Sequence, residues 1–391
     1  MPSLSKTFFS QLTADLAFSK YQGLGNDFLM LDGRSADHTD DLLGLTPQLV
    51  VELCDRRFGV GGDGVILALP ANNGGELRMR IFNADGTEPE MCGNGIRCLA
   101  RFLADRDGDG AGRTWQIDTL AGRIVPELLA DGTIRVDMGA PFLTPDAVPT
   151  TLEVGVAGLP QGVLEIDGER FDVAAAGMGN PHVVVPVHAV EEIDLDRFGS
   201  QLELHPAFPA RTNVHFVEVI AADHLVMRVW ERGAGPTLAC GTGACATLVA
   251  CHSLGLCDRR ARLDLPGGPL LVHWDQQSGK VFMDGPAEFV FDGVIPDPKA
   301  VRAARDSAGA AATEPAAAAT EPPAAPASTI DCATVCTNGC IQPDNCPSAE
   351  ARARVEALLN STSLDALVTL ATNTLEERTR ARFERDSGLG S

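Results

Sequence analysis

The spacing of apolar and polar positions divides the chain into a strand-rich region and a helical end. Up to about residue 300, β-branched runs such as Val214–Ile220 alternate with glycine-rich segments, which is typical of many short strands. Ile96–Ala104 and Ala244–Leu254 instead place apolar residues at helical spacing, as do Ser348–Leu359 and Leu364–Phe383 near the end. We therefore predict a mixed α/β (α+β) region followed by a small helical tail.

The composition changes abruptly near residue 302. Ala303–Ser328 consists almost wholly of Ala, Pro, Thr and Glu and has no apolar period, which is typical of a disordered linker. The predicted units are an N-terminal half at 18–145, a C-terminal half at 146–300, the linker at 303–328 and the tail at 330–391.

Three motifs of the first 300 residues recur in the same order. The pairs are Gly23–Asn26 with Gly177–Asn180, Met79–Phe82 with Met227–Trp230, and Cys92–Gly95 with Cys240–Gly243. The last two pairs share an offset of 148 positions and the first has 154. Because chance would hardly keep the order, we predict two pseudo-symmetric halves. Each is a sheet wrapped around a central helix, and the cleft between them is the expected ligand site.

Each half carries a cysteine where a glycine-rich loop leads into its predicted helix. A thiol at a helix N-terminus faces unpaired N–H groups and the positive end of the dipole, so we expect lowered pKa values for Cys92 and Cys240. Two-fold symmetry would aim both thiols at one cleft. One thiolate could then remove a Cα proton while the opposite thiol returns one, which is racemisation chemistry. Buried structural cysteines and a disulfide between the two are the alternatives.

Charge and composition narrow the class of protein. There are 53 acidic against 31 basic residues, a net charge of −22, so nucleic acids and anionic membranes are disfavoured partners. No apolar run approaches the roughly 18 residues of a membrane span, and the first 17 residues lack a signal-peptide pattern. We expect a cytoplasmic protein with reduced thiols.

No site for pyridoxal phosphate is evident in the sequence. Its lysines, none of which lies in a glycine-rich loop or at a predicted helix start, are Lys6, Lys20, Lys280 and Lys299. The sequence thus predicts chemistry without a cofactor, in which backbone N–H groups at Gly93-Asn94 and Gly241-Thr242 stabilise a substrate carboxylate.

Six ordered motifs closely resemble those of the diaminopimelate epimerases. They are Tyr21–Phe28, Ile81–Gly86, Met91–Gly95, Met178–His182, Glu231–Gly235 and Ala239–Gly243. The resemblance implies a pyridoxal-independent enzyme that interconverts LL- and meso-diaminopimelate on the route to lysine and peptidoglycan. We expect it to act as a homodimer.

The resemblance also implies roles for individual residues. Cys92 and Cys240 would be the acid/base pair, with His182 and Glu231 beside them to manage thiol protonation. Side chains that would hold the substrate are Asn26, Asn83, Asn180, Asn213, Glu231 and Arg232, with the backbone of Gly93, Asn94, Gly241 and Thr242 around its α-carboxylate. One departure from the family pattern is Gly64. Many members carry Gln at this position, so with glycine here we expect one substrate contact to be lost or taken over by water.

The remaining candidates are weaker. The isolated histidines, expected at the surface or in the core, are His205, His215, His224 and His273. The tail cysteines, which could bind zinc, form disulfides or start a helix, are Cys332, Cys336, Cys340 and Cys346. A protein partner is one role that we consider for the tail.

Two other functions compete with this interpretation. Proline racemase-like, hydroxyproline epimerase or dehydratase chemistry would use a similar Cys-Gly-x-Gly helix start, but the asparagines and Glu231-Arg232 favour an extended, doubly charged substrate. A catalytically silent scaffold for the tail is the other alternative, and the intact pair of Cys92 and Cys240 argues against it.

Overall fold

The computed structural model describes residues 15–297 except 36–38, 40, 41, 43 and 44. The linker at 303–328 and the tail at 330–391, with its four cysteines, lie outside the described residues. Among those that are described, two β-sheets and four α-helices form one compact unit, and none of these helices has the length and apolar character needed to cross a membrane.

The first sheet has seven strands and carries a helix on each face. In spatial order the strands are β18 (Glu288–Ile295), β1 (Leu16–Gly23), β2 (Asn26–Asp32), β3 (Gly64–Pro70), β4 (Leu77–Asn83), β5 (Ile117–Thr119) and β6 (Gly122–Ile124). Consecutive residues of a strand point to opposite faces of the sheet. Ile66 packs against α2 (Gly93–Asp107), and Leu67 packs against α1 (Pro47–Cys54) on the other face. Because both faces are covered, the central strands are buried almost continuously.

The second sheet has eleven strands. In spatial order they are β7 (Glu127–Leu128), β8 (Ile134–Asp137), β17 (Val281–Gly285), β16 (Gly268–Trp274), β15 (Arg260–Leu265), β13 (His224–Glu231), β12 (Asn213–Ala221), β11 (Pro181–Val187), β10 (Glu169–Gly177) and β9 (Gln161–Ile166), with β14 (Gly235–Thr237) beside β13. It wraps around α4 (Gly241–Ser253), which is apolar on all sides and therefore buried. A short 3₁₀ helix (Val190–Glu192) and α3 (Leu195–Glu203) accompany the opposite face.

The two sheets exchange strands along the chain. Strands β7 and β8 come from the first half of the sequence but pair in the second sheet, and β18 returns to the edge of the first. The fold class of two sheets, each with a central helix, is confirmed. The predicted division of the sequence into two halves at residue 145 stays a prediction. The sheets do not follow it strictly, since each contains a strand from the other side of that residue.

A tight hairpin joins the two halves of the core. Its two-residue turn, Leu24-Gly25, has φ angles of 59° and 82°. Leu24 is only 4% exposed and packs into the apolar cluster around α4. Gly267 lies so close beneath it that a Cβ there would stand 2.0 Å from the Leu24 carbonyl oxygen. The junction therefore requires a glycine at position 267.

We predict that Gly267→Ala destabilises the fold by ~1–3 kcal/mol, because the new methyl group meets backbone that cannot move alone. Gly110→Ala is the matched control, since a Cβ at that exposed position has open space around it. Urea unfolding of both variants measures the difference. Equal midpoints would contradict the tight junction.

Candidate active site

The structure places both motif cysteines at helix starts. Cys92 is the N-cap of α2 and Cys240 is the N-cap of α4, each with extended backbone. Cys92 Sγ accepts a hydrogen bond from the backbone N–H of Gly95 at 3.4 Å. Cys240 Sγ lies 3.6 Å from Oγ1 of Thr242. The two thiols thus occupy equivalent positions in the two halves.

The two helix starts meet each other. A Cβ built on Gly93 would lie 3.9 Å from Cα of Gly241 and 3.3 Å from Cε of Met283. A Cβ on Gly241 would lie 3.1 Å from Sδ of the same methionine. The positive ends of both helix dipoles therefore converge, which suits a bound carboxylate.

Burial dominates the acidity of both thiols. Desolvation raises the pKa of Cys92, although the N–H groups of Gly95 and Asn94 act in the opposite direction. The pKa of Cys240 is raised well above its ordinary value by burial and by the nearby Glu231 carboxylate. The expectation of lowered pKa values is therefore wrong, because loss of hydration outweighs the helix-terminus effect.

Glu231 is the acidic group next to Cys240. It ends β13, accepts a hydrogen bond from Oγ1 of Thr237 at 2.6 Å and lies beside the Cys240 thiol, whose pKa it raises. Burial raises its pKa above the ordinary glutamate value. A carboxyl group with such a pKa, beside a thiol, can accept or return that thiol's proton.

His182 is fully buried and both of its ring nitrogens are engaged. Nδ1 lies 2.8 Å from Nε2 of His215, and Nε2 lies 2.8 Å from Oδ1 of Asn180. Burial, together with the neighbouring His215 and Arg232, lowers the pKa of His182 well below its ordinary value. Sequence reasoning missed the role of His215, whose partner is set by the pairing of β11 with β12.

Asn26 and Asn94 face each other across the helix starts. Asn26 donates to the Asp63 carboxylate at 2.7 Å, which Arg56 also contacts at 2.8 Å. Asn94 donates to Oδ1 of Asn26 at 3.3 Å. Oδ1 of Asn94 is buried without a hydrogen-bond partner in the described part of the chain, and a Cβ on Gly241 would lie 3.7 Å from it. That oxygen is available to a ligand donor.

The other predicted substrate contacts lie further along the strands. Asn83 is exposed at the end of β4. Asn213 bonds backbone on both sides, donating to the Pro181 carbonyl at 2.9 Å and accepting from the Arg232 N–H at 3.0 Å. It therefore fixes the loop that carries Arg232, whose side chain is exposed.

Steric crowding explains why glycine occupies position 64. A Cβ there would lie 2.4 Å from the backbone oxygen of Phe82 on the neighbouring strand. A glutamine at this position would therefore require a displaced strand.

A buried arginine, which the sequence analysis did not single out, lies behind the thiols. Arg97 is fully buried and donates to the carbonyls of Gly93 at 3.3 Å and Pro286 at 3.2 Å. Burial lowers its pKa, and its charge acts against the rise in the pKa of Cys92. No carboxylate pairs with it among the described residues.

Solved structures with this architecture include two with TM-scores just above 0.5. A hydroxyproline epimerase from Agrobacterium vitis has a TM-score of 0.52 at 15% identity, covering 73% of this chain and 94% of its own. A PhzF-family phenazine biosynthesis protein from Bacillus anthracis has 0.51 at 17%, covering 72% and 99%. The fold is thus the two-sheet class shared by these proteins.

Sequence comparison defines the family within that class. The diaminopimelate epimerase family model matches residues 18–144 and 174–290. The diaminopimelate epimerase of Prochlorococcus marinus (strain MIT 9313) is 58% identical over 72% of this chain and 92% of its own length. That of Nostoc punctiforme is 52% identical, covering 72% and 99%. The chain belongs to the diaminopimelate epimerase family.

The raised thiol pKa values predict the pH dependence of alkylation. In the free protein, labelling of Cys92 and Cys240 by iodoacetamide should increase as the pH rises beyond 9, the ordinary thiol value, because both thiols hold their protons below it. Peptide mapping by mass spectrometry measures each rate, with glutathione as an internal control. A plateau already reached near neutral pH would contradict the raised values.

Proposed function

We propose that this chain interconverts LL- and meso-diaminopimelate by two-base proton transfer at Cα, without pyridoxal phosphate, in lysine and peptidoglycan precursor biosynthesis. The observation that carries the proposal is the meeting of two cysteine-capped helix starts at Gly93 and Gly241. Membership of the family supports the choice of substrate.

The proton transfers balance with these groups and solvent water. The Glu231 carboxylate takes the proton of the Cys240 thiol, and the resulting thiolate removes the Cα proton from one face. The Cys92 thiol then donates its proton to the opposite face and is left as a thiolate. In the reverse reaction this thiolate removes the Cα proton, the Cys240 thiol donates, and Glu231 returns its proton to Cys240. Before another forward turnover, Glu231 releases its proton to water and Cys92 takes one up. A thiolate whose conjugate acid has a raised pKa is a stronger base, which suits a weakly acidic Cα–H.

The substrate would be held by the polar groups around these thiols. The N–H groups of Gly93, Asn94, Gly241 and Thr242 would bind the α-carboxylate, where developing negative charge is stabilised most. The side chains that would hold the remaining polar ends are Asn26, Asn83, Asn180, Asn213, Glu231 and Arg232. Many neutral amides suit a ligand with two carboxylates and two ammonium groups.

A cytoplasmic homodimer is part of the same proposal. Within the described residues, strand β18 is an edge strand of the first sheet, and its Phe289, Phe291 and Val294 are between 41% and 59% exposed. Long apolar edges favour association, and a second copy of the chain can supply the matching strand. Light scattering after gel filtration distinguishes a dimer from a monomer.

We predict that turnover in deuterium oxide places deuterium at Cα mainly in the newly formed isomer, because each thiol exchanges its proton with solvent. Cys92→Ser and Cys240→Ser should each lower the rate by about 10²–10⁴-fold or more. NMR of the product and an assay separating the two isomers, with proline isomers as control substrates, measure both effects. Early product free of deuterium, or near-normal activity of either variant, would contradict the two-base scheme.

The extension beyond the second sheet should be dispensable for this reaction. All proposed site residues lie within 15–297, so a chain ending near residue 300 should keep folding and full turnover. The same isomer assay and circular dichroism compare it with the full chain. Loss of activity in a folded, truncated chain would show that the tail contributes to the site or to the dimer.

A further inference from the structure

A buried pair of histidines connects the second helix start to a proposed substrate contact. His182 and His215 are both completely buried, and they lie on the same face of the parallel strands β11 and β12. Their facing nitrogens are 2.8 Å apart, and the far nitrogen of His182 reaches Oδ1 of Asn180 at 2.8 Å. The three side chains form one continuous hydrogen-bonded row.

We propose that His215 is a positioning residue that fixes the tautomer of His182 and, through it, the orientation of the Asn180 amide. His215 donates its Nε2–H to Nδ1 of His182. His182 must then carry its proton on Nε2, which donates to Oδ1 of Asn180. The Asn180 amide is thereby held with its NH₂ group free to donate to the substrate, and this last step rests on the proposed function.

The direction of the row follows from what each atom can do. Nδ1 of His215 is buried and has no hydrogen-bond partner in the described residues, so a proton there would be unsatisfied and the neutral ring carries its proton on Nε2. That Nε2–H donates to Nδ1 of His182, which must then accept. The neutral His182 ring consequently carries its proton on Nε2, and the amide oxygen of Asn180, which can only accept, turns toward it. The direction of the row is thus set from the His215 end.

Both rings stay neutral because of where they lie. Burial lowers the pKa of His215 to about 3, and that of His182 falls well below its ordinary value. The facing groups on the packed elements are the other histidine, the Asn180 amide and the exposed Arg232. Because none of these is acidic, no carboxylate of the described residues stabilises an imidazolium here. His182 therefore acts as a neutral hydrogen-bond donor in the free protein.

A motif glycine makes room for His215. A Cβ on Gly243, the third residue of α4, would lie 2.2 Å from Cε1 and 2.7 Å from Nε2 of that ring. The imidazole thus occupies the space that the missing side chain leaves. Through this contact the hydrogen-bonded row packs against the helix that Cys240 caps. The Asn180 amide and the Cys240 thiol are therefore held at a fixed distance from each other.

Two substitutions distinguish the loss of the hydrogen-bond donor from the loss of the imidazole ring itself. His215→Leu removes the donor, and His215→Gln keeps an N–H at a comparable distance. His273→Leu, at a partly exposed histidine outside the row, is the matched control. Urea unfolding reports the stability of each variant.

Nitrogen-15 NMR of the histidine rings tests the tautomer without any substrate. In the native protein, we expect His182 to show its proton on Nε2 and His215 likewise, at neutral pH. His215→Leu should produce a mixture of His182 tautomers, whereas His215→Gln and His273→Leu should not. A native His182 with its proton on Nδ1, or an unchanged signature in His215→Leu, would overturn the proposal.

Steady-state kinetics tests the consequence for substrate. His215→Leu should raise KM about tenfold and change kcat less, because one orienting hydrogen bond to Asn180 is lost, and His215→Gln should restore KM. Equal impairment of equally stable Leu and Gln variants would contradict the positioning role. If the native chain turned over no diaminopimelate, the proposed function would fail while the NMR result would still decide the tautomer.

Discussion

The starts of helices α2 and α4 lie in contact with each other and with Met283, and this close packing is the constraint on which the site depends. A Cβ added to Gly93 or Gly241 would lie 3.3 or 3.1 Å from the Met283 side chain, so a larger residue at either position would have to displace that side chain. The consequence is a single place where two sets of free N–H groups point inward. Since each helix is capped by a cysteine, the same constraint also delivers two thiols to that place from related positions.

Exclusion of water at this meeting point governs the chemistry of the groups around it. The thiols, Glu231 and the two histidines are all shifted toward their uncharged forms. Because little water competes there, the N–H groups of the two helix starts attract an incoming carboxylate more strongly than they would in bulk water. The buried Arg97, on the second turn of α2, adds a positive charge behind the thiols. The free protein is thus prepared to receive an anion and to form a thiolate only afterwards.

Local sequence was sufficient for the framework of this site. The repeated Cys-Gly-x-Gly motifs correctly predicted two helices that start at Cys92 and Cys240, since glycine and cap positions are set by neighbours in the chain. The acidity of the thiols could not be predicted in this way, because it depends on burial by segments far apart in sequence. The role of His215 depends on the register between two parallel strands, and Gly64 depends on a carbonyl of the adjacent strand. The return of β18 to the first sheet likewise has no signal in its own residues.

The central claim is that Cys92 and Cys240 act on opposite faces of one Cα. The most direct measurement is solvent hydrogen exchange at Cα in Cys92→Ala and Cys240→Ala, followed by NMR for LL- and meso-diaminopimelate separately. Each variant keeps one thiol, so each should exchange the Cα hydrogen of one isomer without inverting it, and the two variants should select different isomers. Exchange of the same isomer by both variants, or of both isomers by either one, would contradict the account.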